Sequence, residues 1–383
     1  MTTIFVVCGK VNYTNLSRYS HYSERTYRRH FQKGLGAEVL NQSLIEQVKC
    51  PGGTQIAVVD CTFLHKSGRH TYGLDWFYNG KTQRAERGLE LSVVAIVDLE
   101  QNTAYSLCAQ QTDAGLGQQT PRPPHPPHQP QTNRIDFYLG HLAHSSDYFP
   151  NGLRYVVTDG FYSKYKWVNG VTQLGYDSIG KLRCDANLKF LYTGPYAGRG
   201  APRKYDGKVN LQDPQRFEFV TNLADDISLY TAVVWSVSLK RRVRLAYILN
   251  QQSGQHRHVV LFSTDLDIDP QMLYRCYAAR FQIEFVFRDA RQYTGLADCQ
   301  ARSAEAIDTH VNASLMALNL AKAALRQHQC PSQPQSFSLA SFKRLALNEH
   351  LLNLFIDEFG LEPTLIKSHR SYQTLLEYGA ITS

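Results

Sequence analysis

The 383-residue sequence has no apolar run approaching the roughly eighteen residues of a membrane span, and no basic-then-apolar leader follows Met1. No phosphate-cradling G-x-x-x-x-G-K-[ST] loop is present. The pairs Gly34-Leu-Gly36 and Gly115-Leu-Gly117 lack the third glycine and the strand–helix setting of a nucleotide fold. A nucleotide cofactor is therefore not expected. Eight cysteines are scattered without a C-x-x-C pair, which argues against a zinc centre or a disulfide framework. Free thiols in a reducing cytoplasm fit better. His125 and His128 stand among prolines, where nothing holds them as rigid metal ligands. The sequence has no internal repeat.

What is present is globular. Hydrophobic residues make up 43% and charged residues 19%, enough for two or three domains around a substantial core. The formal net charge of +8 favours a polyanionic partner. Basic residues gather early, with Lys10, Arg18, Arg25, Arg28, Arg29 and Lys33 set against Glu24 alone. Residues 15–19, 20–23 and 24–31 read as helix, turn and helix, with Ser23 as N-cap. Arg25, Arg28 and Arg29 fall on the second helix, the one that would enter the major groove in a helix-turn-helix reader. A basic hairpin that merely caps the next domain fits this segment equally.

From Ile56 the pattern turns to strands over residues 56–63, 91–99 and 103–107, the last two joined as a hairpin. The proline- and glutamine-rich stretch 111–132 predicts an exposed, extended loop. A helix near 134–144, a strand ending at Asp159 and a helix around 162–168 follow. Residues 178–265 are strand-like again and predict an inserted β subdomain. Asp269-Pro270 opens, and Gly295 stops, what reads as one long helix. A second amphipathic helix runs from about 303 to 326. The division is an N-terminal segment over 1–50, a catalytic α/β domain over 51–327 and a helical region over 328–383.

Chemistry concentrates in the long helix. Tyr277, Arg280, Glu284, Arg288 and Arg291 follow at steps of three or four and share one face, a single carboxylate among three guanidiniums and a phenol. Two aspartates close β-branched runs, Ile56-Ala-Val-Val-Asp60 and Tyr155-Val-Val-Thr-Asp159. Each alone is ordinary, since strand-end aspartates usually cap turns and helical glutamates usually form solvated ion pairs. Together, Asp60, Asp159 and Glu284 offer the hard oxygen ligands that divalent cations prefer. The arginines match phosphate, as do the aromatic and basic residues after each aspartate, His65-Lys66 and Gly160-Phe-Tyr162-Ser-Lys164.

This combination resembles the bacterial insertion-sequence DDE transposases marked by Tyr-(2)-Arg-(3)-Glu-(6)-Lys, the insertion-sequence-four type. Tyr277, Arg280 and Glu284 keep that spacing, and Arg291 stands where the family usually has lysine. Asp60 in Val-Val-Asp-Cys-Thr-Phe and Asp159 in Val-Val-Thr-Asp-Gly-Phe-Tyr-Ser-Lys look like the first two acids. The resemblance implies an RNase H-like core in which the three acids bind two Mg2+ ions, with Mn2+ as a substitute. It implies that Tyr277, Arg280 and Arg291 hold phosphates of a cleaved DNA end. It also implies double-stranded DNA as partner, a homodimer on paired transposon ends and strand cleavage with strand transfer. In such proteins an aromatic residue of the β insertion can receive a flipped base, and Trp235 is the only tryptophan in that block. Two alternatives stay open, an inactive or co-opted DNA-binding derivative and a stand-alone RNase H-like nuclease.

Overall fold

The computed structural model describes residues 2–117, 133–196, 198, 200–251, 257–327 and 338–381. Most of the proline-rich stretch lies outside them, as do His125, His128 and Cys330. Four helices open the chain, α1 (Thr3–Val6), α2 (Tyr13–Arg18), α3 (Glu24–Phe31) and α4 (Ala37–Val48). The Ser23 hydroxyl accepts the Thr26 N–H at 3.2 Å, as an N-cap should. Ile4, Phe5, Val11, Tyr13 and Leu16 are buried in the same core as the sheet, so this segment shares the main core of the chain.

Four strands follow, β1 (Gln55–His65), β2 (Asp75–Asn79), β3 (Arg84–Asp98) and β4 (Thr103–Gln111). Helix α5 (Arg134–Ser146) leads to β5 (Tyr155–Val157), and α6 (Tyr165–Gln173) to β6 (Asp177–Leu182). Strand β5 lies parallel to β1 and to β6, which is why helical crossovers intervene there. The remaining strands are β7 (Leu188–Leu191), β8 (Tyr205–Lys208), β9 (Glu218–Ala224), β10 (Ile227–Ser236), β11 (Arg241–Asn250) and β12 (Arg257–Ser263). They make one mixed sheet in the order β2-β3-β1-β5-β6-β12-β11-β10-β7-β8, with β4 on β3 and β9 on β10. The strands of residues 178–265, the stretch expected to form an inserted β subdomain, continue the core sheet. Strand β12 pairs with β6 from Val260↔Leu182 to Ser263↔Ile179, covering an edge that would otherwise expose unpaired backbone groups.

Successive residues of β1 serve opposite faces. Ile56 and Val58 pack beneath α7 (Pro270–Ala279), α8 (Gln282–Tyr293) and α9 (Ala304–Gln327), and Ala57 and Val59 pack with α5 and α6. Each fully buried aliphatic side chain of this kind contributes about 1.5–3 kcal/mol. Helices α10 (Leu339–Glu358), α11 (Pro363–Ser368) and α12 (Arg370–Leu376) follow. No helix among the described residues is long and apolar enough to cross a membrane.

Helix α9 covers the edge of β4 with side-chain amides. Asn312 accepts the Ala109 N–H at 2.9 Å and donates to its carbonyl at 3.1 Å. Asn319 accepts the Ser106 N–H at 3.1 Å and donates to the Ser106 carbonyl at 2.8 Å. Lys322 donates to the Ala104 carbonyl at 2.7 Å. Seven residues of helix rise about 10.5 Å and three of strand about 10 Å, so the two asparagines meet Ser106 and Ala109 in step. A bulge at Leu107 supplies the change of parity that turns both residues outward. Asn319→Leu should therefore cost about 3 kcal/mol in urea unfolding, since it leaves a buried N–H and carbonyl unpaired. A loss below about 0.5 kcal/mol would mean that these amides do not hold the edge.

Candidate active site

Asp60 lies in the middle of β1, not at its end. The apolar run stops there, but pairing with β3 continues to His65↔Gly88. Alternation turns Asp60, Thr62 and Leu64 towards α8 and turns Cys61 to the other face, where its thiol meets the Tyr162 hydroxyl at 3.2 Å. Strand β5 sets the second acid. Val58 is level with Val157, and two residues further along each chain stand Asp60 and Asp159. Asp159 then caps a 3-10 turn over Gly160–Tyr162, accepting the Phe161 N–H at 2.9 Å. Glu284 stands in the first turn of α8.

These three carboxylates line one cleft of about 790 Å³, together with Lys81, Arg288 and Arg291. Burial first, and then the Asp159 carboxylate, push the Asp60 carboxyl up to about 7. The Cys61 N–H and Arg280 oppose that rise, and Glu284 adds to it. Among the described residues, no three Asp, Glu, His or Cys side chains gather closely enough to hold a metal ion as they stand. Arg280 accounts for part of this. Its guanidinium lies between two of the acids, 3.5 Å from Asp60 and 3.3 Å from Glu284. Mutual repulsion of uncompensated carboxylates works in the same direction.

The single long helix of the sequence reading is two helices. Between α7 and α8 the N–H groups of Arg280, Phe281, Ile283 and Glu284 bond three residues back instead of four, at 3.0–3.2 Å. This tightened turn needs neither glycine nor proline, so composition gave no sign of it. It lowers the Arg280 side chain against β1 until only 14% remains exposed, while Glu284 keeps 44%. Arg280 Nε is buried without a hydrogen-bond partner, and its guanidinium lies 5.6 Å from the centre of the Tyr277 ring. Arg291, two turns beyond Glu284, donates from Nη2 to the Thr62 hydroxyl and to the Phe63 carbonyl. Both bonds leave one nitrogen, Nη2. Arg288 pairs with Asp289 at 2.8 Å and lies over the Phe285 ring.

The same cleft is lined by a network that no sequence motif marks, made by Glu90, Arg134 and Tyr138. Glu90, buried in β3, accepts from Arg134, from the Tyr138 hydroxyl at 2.6 Å and from the Thr112 hydroxyl at 3.0 Å. Its signal is a lone carboxylate inside an apolar strand, which must have partners. Of the early arginines, Arg28 faces a neighbouring cleft and pairs with Glu24 at 2.6 Å, whereas Arg25 and Arg29 are exposed on α3 and line neither cleft. Trp235 packs against Tyr205 far along the sheet and does not line the cleft of the three carboxylates.

A family model described as "DDE superfamily endonuclease" matches residues 17–242, more than half of the chain, and the chain belongs to that family. The matched span contains Asp60 and Asp159 and ends before Glu284. Among solved structures, the chain is similar to a piggyBac transposase synaptic complex with hairpin DNA, at 12% identity and a TM-score of 0.41. That match covers 86% of this chain and 58% of the other, so the chain spans under two thirds of that protein. Endonuclease V of Bacillus subtilis is matched at 9% identity and a TM-score of 0.27, over 81% of this chain and 97% of that one. No curated protein matches the chain.

The raised Asp60 carboxyl has a consequence for stability. Between about pH 4, where an unfolded aspartate titrates, and about 7, the native protein keeps a proton that the unfolded chain has released. The contribution is complete at the acid end and is lost as pH rises through the native value. The Tm of metal-free protein should therefore fall between about pH 5 and pH 8, and Asp60→Asn should flatten that fall and raise the Tm at pH 8. An unchanged pH slope in Asp60→Asn would place the titration elsewhere.

Proposed function

We propose that this protein is a DNA transposase of the DDE type, with an RNase H-like catalytic core that binds transposon ends and carries out strand cleavage and strand transfer. The observation that carries this reading is the convergence of Asp60 from β1, Asp159 from the end of β5 and Glu284 from α8 on one cleft with Arg288 and Arg291. The strand order β4-β3-β1-β5-β6, with parallel pairing only at β1–β5–β6, suits an RNase H-like core.

The three carboxylates are the hard donors that a pair of Mg2+ ions would take, with Mn2+ as a substitute. Their chemistry fits. The excess negative charge is already drawing Arg280 between Asp60 and Glu284. Such ions would activate the attacking water or 3′ hydroxyl and stabilise the departing alkoxide. The chain's own groups would align the phosphate. Tyr277, Arg280 and Arg291 would hold its oxygens, and the unpaired Nε of Arg280 is a donor in want of an acceptor. All three acids are present, which favours an active enzyme over a co-opted DNA-binding derivative. A homodimer on paired ends belongs to the same proposal.

The test is cleavage of DNA carrying the element's terminal sequences, with Mg2+ or Mn2+. Loss of one preorganised electrostatic stabiliser usually costs about 10²–10³ in rate, so Asp159→Asn and Glu284→Gln should lose at least that much. Both should bind the DNA within a few-fold of wild type. Arg280→Ala should cut turnover about a hundredfold with a smaller change in affinity. Wild-type cleavage by Asp159→Asn would overturn the assignment.

A further inference from the structure

Next to the catalytic cleft lies a second one of about 840 Å³, walled on one side by the N-terminal helices and on the other by the start of α9 and the loop before it. His65 and Ala297 line both clefts, so the two adjoin at the end of β1. The second cleft is lined by Lys10, Arg28, His65, Lys66 and Arg302. Its one acid, Asp298, is occupied, because a carboxylate oxygen accepts the Val11 N–H at 2.8 Å. Arg28 is shared with Glu24, and Lys66 is held by the Cys299 carbonyl. The exposed side chains of Lys10 and Arg302 have no ion pair or hydrogen bond among the described residues.

We infer that this second cleft is a binding site for the sugar–phosphate backbone of the DNA strand as it leaves the catalytic cleft, with Lys10 and Arg302 as its free phosphate contacts. The inference rests on the transposase reading for the identity of the polymer and deepens it by giving the strand a path. Strand β1 supplies the scale. Five residues separate Asp60 from His65, about 17 Å of extended chain, which equals roughly five nucleotides at about 3.4 Å each. The cleft is also built to keep its shape. Gly295 sits at φ +79° with Val11 so close that an added Cβ would stand 2.3 Å from the valine Cβ. The Val11–Asp298 bond closes the same joint, so Lys10 is fixed against the loop that leads to Arg302.

The test compares wild type with the double variant Lys10→Ala/Arg302→Ala by fluorescence anisotropy in EDTA. One duplex set ends about three nucleotides from the scissile position and another extends at least ten. Each lost phosphate contact removes about 0.9 from the slope of log affinity against log salt. On the long duplexes the variant's slope should be shallower by about 1.8, so that its affinity loss between about 50 and 200 mM salt is roughly tenfold smaller than that of wild type. On the short duplexes the two proteins should behave alike. Equal slopes on the long duplexes would overturn the path while leaving the active-site reading intact. The same loss on short and long duplexes would also overturn it. Binding with the expected slope change but no metal-dependent cleavage by wild type would overturn the active-site reading and keep the cleft. Failure of wild type to bind any DNA would overturn both.

Discussion

The constraint on which this molecule turns is a carboxylate held in the middle of a strand that is paired with β3 along its whole length. Asp60 is held in place because β3 pairs with β1 through and beyond it and α8 lies over its face. An ionised group in that position must be compensated or neutralised. The fold does some of each. The Cys61 N–H bonds one oxygen at 2.8 Å, Arg280 approaches the other, and the remaining cost is seen in a carboxyl that holds its proton to about neutrality. The tightened turn between α7 and α8 makes sense in this light, since it brings a guanidinium down onto β1.

The opposite solution lies on the neighbouring strand β3. Glu90 is more buried than Asp60, yet Arg134, Tyr138 and Thr112 engage both of its oxygens. Its charge is already answered by a guanidinium and two hydroxyls. Two carboxylates on neighbouring strands thus differ in what their partners leave free, and that difference separates a structural acid from a chemical one. A sequence shows both as acidic residues in or beside apolar runs and cannot tell them apart.

Much of the architecture was legible because it rests on local pattern. The strands around Asp60, Asp159 and Val243 follow from β-branched runs, α9 from its apolar stripe, and the Ser23 cap from a hydroxyl ahead of a helix. What escaped depends on distant partners. The break at Arg280 comes without a breaker residue, because its cause lies on β1, some 220 positions earlier. The fusion of the late strands with the core sheet depends on β12 choosing β6, a pairing with no local mark. Asp60 looked terminal because a change from apolar to polar reads as a strand end, when the strand had only reached a different neighbour. The shared face of Tyr277, Arg280, Glu284 and Arg291 was visible in spacing alone. That Arg291 would spend one nitrogen on Thr62 and Phe63 was not.

The asparagines of α9 bear on how copies of this chain can meet. Asn312 and Asn319 offer β4 a donor and an acceptor at the spacing a neighbouring strand would supply, so the helix stands in for a strand that the sheet does not have. Because an asparagine side chain carries no strand backbone behind its amide, the imitation ends the ladder. Growth of the sheet by adding a strand from another molecule is closed along the stretch of β4 that α9 covers.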